Sequence, residues 1–147
     1  MEMKKAILTA ALSAASLAAA GGMLTATATD AAAASSQDIG PVDYYAANGI
    51  SRGWGMFAAD PEGPYPGDAI GACDTYADGF GIKVELDISP TGTWDTDRSV
   101  STGGHAAGYC TGWKSGNIKE NTRVAIRVCK VKSGHRPACG KPHYGWA

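Results

Sequence analysis

Gly81-Ile82-Lys83-Val84-Glu85-Leu86-Asp87-Ile88 decides the fold class. Ile82, Val84, Leu86 and Ile88 fall on one side of an extended chain, and Lys83, Glu85 and Asp87 on the other. That two-residue period is the mark of a strand with one apolar face. Ser89-Pro90-Thr91-Gly92 follows as a turn, so Thr93 to Val100 is expected to return as a hairpin partner. Thr122 to Val131 alternates equally well, with Val124, Ile126 and Val128 inward and Arg123, Ala125, Arg127 and Cys129 outward. Between these strands Gly112, Gly116 and Asn117 argue against a helix. From Gly67 to Ala147 the chain therefore reads as all-β, a small antiparallel β-sandwich of two sheets.

Cys73, Cys110, Cys129 and Cys139 form an even set. In an exported chain such a set implies two disulfides. Four cysteines allow three connectivities. The run Ser133-Gly134-His135-Arg136-Pro137 favours a return strand that brings Cys139 opposite Cys129, leaving Cys73 for Cys110. No C-x-x-C pair and no ligand spacing of His105, His135 and His143 supports a zinc site, so no metal is assigned.

Export is read from the N-terminus. Lys4 and Lys5 precede an uncharged stretch from Ala6 to Ala28 containing Ile7, Leu8, Leu12, Leu17 and Leu24. Ala26-Thr27-Ala28 and Ala32-Ala33-Ala34 both fit the A-x-A cleavage pattern. Residues 1–34 are thus expected to be a signal peptide cut near residue 28 or 34, not a retained anchor. Residues 35–66 read as a partly ordered N-terminal arm. Gly40-Pro41, Asn48-Gly49 and Asp60-Pro61-Glu62-Gly63-Pro64-Tyr65-Pro66-Gly67 interrupt regular structure, and the segment around Trp54 to Phe57 is expected to pack on the domain.

The formal net charge is −1, which points away from nucleic acid and from anionic membrane. The charge is unevenly placed. Residues 35–110 hold 11 acidic against 3 basic side chains, and residues 111–147 hold 8 basic against 1 acidic. Acidic and basic strands lying side by side would cancel this asymmetry; a basic face meeting an acidic partner is the alternative.

Two resemblances bear on this reading. Ile118-Lys119-Glu120-Asn121-Thr122-Arg123-Val124-Ala125-Ile126-Arg127-Val128 is similar in spacing to the E–F corner and F strand of immunoglobulin-like and fibronectin type III domains. Glu120 and Asn121 stand where those have Pro and Gly, and Val124 where they have the corner tyrosine. The resemblance implies that topology alone. Cys73-Asp74-Thr75, Asp78-Gly79, Gly104-His105, Trp113-Lys114-Ser115-Gly116-Asn117, Asn121-Thr122 and Val128-Cys129 resemble the small disulfide-containing secreted proteins of actinomycetes. This second resemblance implies an extracellular domain and no chemistry.

Candidate chemistry is sparse. Asp74, Asp78, Gly79 and Glu85 fall at positions 1, 5, 6 and 12 of a calcium loop, but Tyr76 occupies position 3. An Asp-Gly turn entering a strand explains the same residues. His105 with Ser99 or Ser101, and Asp95 with Asp97, provide the residue types of a hydrolase, yet no G-x-S-x-G elbow occurs. Trp94, Trp113, Tyr144 and Trp146 lie in or beside loops, near Lys114, Lys119, Arg123 and Arg127. An exposed pair of these aromatics could stack on sugar rings or anchor a protein. The chain is accordingly read as a secreted, non-enzymatic interaction or binding module without a cofactor. Its expected partner is an extracellular protein or a cell-wall polymer. A secreted inhibitor or toxin-like effector, and a small extracellular hydrolase, are the alternatives.

Overall fold

A computed structural model describes residues 35–147; the expected signal peptide lies outside the described residues. In chain order the strands are β1 (Ile39–Tyr45), β2 (Ser51–Ala58), β3 (Pro61–Glu62), β4 (Tyr65–Pro66), β5 (Ala69–Asp74) and β6 (Gly81–Ile88). They continue with β7 (Arg98–Ser101), β8 (Arg123–Val131), β9 (Ala138–Cys139) and β10 (His143–Trp146). All pairings between these strands are antiparallel, and among the described residues no helix forms. One sheet has the order β1-β2-β5 and the other β10-β8-β6-β7, with β9 also on β8; β3 and β4 form a separate short hairpin.

The two alternating stretches pair with each other, in register from Gly81 opposite Val131 to Ile88 opposite Val124. Their inward residues Ile82, Val84, Leu86, Val124, Ile126 and Val128 are fully buried together with Phe57 and Ile70 of the other sheet. Burial of each such side chain stabilises the fold by about 1.5–3 kcal/mol relative to exposure. The expected hairpin partner is shorter than Thr93 to Val100. Only Arg98–Ser101 pairs with β6, because Asp97 turns the chain early: its amide donates to Leu86 O and its carboxylate accepts from the Ile88 amide.

Residues 35–66 are more than an arm. They contain β1 and β2, two of the three strands of the smaller sheet. The hydrophobic pattern of β2 is inverted, which hides it in the sequence. Gly53, Gly55 and Phe57 point inward, while Trp54 and Met56 are half-buried on the outer face. Glycine is required inside because the sheets approach closely there. A Cβ on Gly55 would lie 2.2 Å from Val84 Cγ2 and 3.0 Å from Val128 Cγ2.

Both edges of this sheet are blunted. Along β5 runs the segment Cys110–Lys114, bridged at Cys73 by Cys110 and at Ile70 by Lys114, with the Thr111 amide donating to Ala72 O. Along β1 the pairing register breaks between Ile39 and Val42, where Pro41 has no N–H to offer. Disulfides join Cys73 to Cys110 and Cys129 to Cys139, each across directly paired residues. Two disulfides are the signature of an oxidising compartment. Among the described residues no helix is long and apolar enough to cross a membrane.

Candidate functional site

The outer face of the β1-β2-β5 sheet carries a concave aromatic site. Trp54 projects from β2 beside Cys73, its partner on β5. Tyr65 comes from β4, and Trp113 from the segment that the Cys73–Cys110 disulfide ties to β5. Tyr65 and Trp113 meet edge-to-face, ring centroids 4.9 Å apart at 78°. Gly71 supplies the floor: a Cβ there would lie 3.0 Å from the Trp113 ring, so a larger residue would push the indole outward by a few tenths of an ångström. These groups, with Ala72 and Thr111, enclose a cup of about 220 Å³ whose lining includes no charged side chain.

The outer face of the larger sheet is built differently. Glu85 is buried there, accepting from Lys83 Nζ at 2.8 Å and from Arg127 through Nε at 2.8 Å and Nη2 at 2.7 Å. Burial opposes the charged carboxylate, but these two cations prevail and hold its pKa below the ordinary value. Arg127 also lies over the Trp94 ring at 4.3 Å, and Arg123 over Tyr144 at 4.4 Å. Such stacking contributes about 0.5–2 kcal/mol. The Glu85–Arg127 pair joins the acidic and basic halves of the sequence across neighbouring strands. A cleft of only about 60 Å³ remains between Asp87, Trp94 and Tyr144.

The loop aromatics singled out in the sequence therefore part company. Trp113 enters the cup, Trp94 and Tyr144 lie beneath arginines, and Trp146 is exposed at the sheet edge, where its backbone pairs with Gln37. The basic residues do not form one patch. Lys114 Nζ donates to Ser99 O on β7, two strands away from Arg127 on β8. Trp54 and Tyr65 lie in the expected arm; the alternation of Trp54 and Met56 with small residues is a signal for Trp54, and no local pattern marks Tyr65.

The other candidates are not assembled. Asp74 accepts from the Tyr76 amide, Asp78 accepts from the Phe80 amide and pairs with Arg52, and Glu85 serves the cationic pair. These carboxylates form no calcium loop. The cluster Glu85, Cys129 and Cys139 has the spacing of metal ligands, but both sulfurs are consumed in the disulfide. His105 stacks on Tyr109 at 3.8 Å, and among the described residues no hydrogen bond joins it to a serine or a carboxylate. Ser101 Oγ instead accepts from the Gly103 amide, and the Asp97 carboxylate holds the Ile88 amide. No known family, curated protein or solved structure matches this chain.

Proposed function

We propose that the protein is a secreted, non-enzymatic binding module, an immunoglobulin- or fibronectin III-like sandwich released by cleavage of its first 34 residues or fewer. Its ligand-binding surface is the cup of Trp54, Tyr65 and Trp113. The observation that carries this reading is three aromatic rings, delivered by three separate segments, around an open cavity with an uncharged lining. Aromatic rings in a core bury one another; here they flank a space that another ring can fill. The ligand chemistry that fits is a flat ring with an apolar face and hydroxyl edges, as a neutral sugar of a cell-wall polymer presents. Thr111 provides a polar group at the rim.

The test is retention of the purified protein on washed cell walls, followed by titration with neutral oligosaccharides. Trp113→Ala is expected to weaken binding about tenfold or more, and Trp113→Phe to weaken it less. Undiminished binding by a folded Trp113→Ala protein would overturn the assignment. Capture of one stoichiometric protein from culture fluid, with no retention on walls, would favour the inhibitor reading instead.

A further inference from the structure

A second site, independent of the cup, lies among the loops between β5 and β6, after β7, and between β8 and β9. Phe80 stands beside it, next in sequence to Gly79 of its lining. Lys130 Nζ sits 4.2 Å and Lys132 Nζ 5.0 Å from the centroid of the Phe80 ring, and His135 meets the ring edge at 5.8 Å. Two ammonium groups thus share one aromatic ring. The ring attracts each through its quadrupole but supplies no net negative charge. Among the described residues neither lysine has a carboxylate within ion-pair distance. The nearby carboxylates are committed elsewhere, Asp78 to Arg52 and the Phe80 amide, Asp74 to the Tyr76 amide.

This unneutralised charge borders a cavity of about 420 Å³ lined by Gly79, Gly103, Gly104, Lys132, Ser133 and His135, among others, and by no carboxylate. Lys132 Nζ lies against Gly79, only 3.6 Å from where a Cβ would stand. The Gly103 amide is taken by Ser101 Oγ, but among the described residues the amides of Gly79 and Gly104 have no hydrogen-bond acceptor, and the ammonium, hydroxyl and imidazole supply further donors. We propose that this cavity binds a phosphoryl oxyanion, presented either by a small phosphoester or by a phosphodiester polymer. Bound there, the anion neutralises Lys132. The Lys132 ammonium, without a carboxylate partner among the described residues, favours an oxyanion over a neutral ligand.

The test is an amide NMR titration of the isotope-labelled full-length chain at constant ionic strength, using inorganic phosphate and then a linear phosphodiester polymer. Saturable shifts are expected at Gly79, Gly104 and Ser133, with the amides around Trp113 unmoved. Lys132→Gln is expected to weaken binding about tenfold, and Lys130→Gln less, since Lys130 does not line the cavity. Polymer binding far tighter per phosphate than the inorganic ion identifies the polymer as the source; equal affinities identify the small phosphoester. Shifts matched by chloride, or binding unchanged in Lys132→Gln, would overturn the proposal.

Discussion

The two sheets of this molecule reach the same core by opposite rules. In the β10-β8-β6-β7 sheet the central strands turn large apolar residues inward, and the ion triad of Lys83, Glu85 and Arg127 lies on the outer face beside Ala125 and Cys129. In the β1-β2-β5 sheet the middle strand turns glycine inward and tryptophan outward. Packing explains the difference. Two facing surfaces can share a narrow space only if one yields volume where the other supplies it. Ile82 fills the space that Gly53 leaves, and Val84 and Val128 fill that of Gly55. Trp54 is thereby left half-buried on the outer face of the sheet.

Three perturbations bear on that contrast, the largest first. Removing the Cys73–Cys110 bond from the glycine-lined sheet opens a loop of 37 residues, against 10 for Cys129–Cys139. Chain entropy predicts a loss of about 4 kcal/mol for the first, roughly 1 kcal/mol more than for the second. Denaturant unfolding of the two double Cys→Ala variants measures this, and equal losses would break the distinction. Next, Gly55→Ala is expected to destabilise by about 2–3 kcal/mol through overpacking against Val84. Combined with Val84→Ala it should cost at least about 1 kcal/mol less than the sum of the single changes. Simple additivity would mean that the two sheets do not share that volume.

The smallest effect belongs to the polar outer face. Glu85→Gln is expected to destabilise by about 1–3 kcal/mol at neutral pH, by leaving the two cations without their acceptor. The folded-state pKa of Glu85 is lowered, so its contribution is present above the unfolded-state value and is lost as pH falls through the folded-state value. Wild type and variant should therefore converge in stability on acidification, measurable by thermal melts across pH. A gap that persists below the folded-state pKa would show that packing, not charge, sets the difference.

The same contrast governs how much could be read from the sequence. β6 and β8 are legible because each obeys a strict two-residue period, and the turn before Cys139 favours its placement beside Cys129. β2 is less legible, because its inward positions begin with Gly53 and Gly55 and its alternating large side chains, Trp54 and Met56, lie on the outer face. Pro61, Pro64 and Pro66 just beyond it made the whole segment resemble an arm. The cup was hidden for a related reason. Trp54, Tyr65 and Trp113 are up to 59 positions apart; the Cys73–Cys110 pairing could be read, but the strand pairing that sets the rings side by side could not. Even in legible β6, the burial of Glu85 and Asp87 follows from the 89–97 loop and neighbouring strands lying over a face that alternation marks as polar.

The strap of Cys110–Lys114 along β5 also has a meaning for colloidal behaviour. A bare sheet margin is a template on which a second molecule can crystallise its own strand, and repeated addition builds fibres. Here one margin of the smaller sheet is occupied by the chain itself and held there by a covalent bond, while the opposite margin is broken at Pro41. Growth by strand addition is thus discouraged in both directions. Reduction of the Cys73–Cys110 bond would release the strap and expose one of the two margins, turning redox loss into an aggregation hazard.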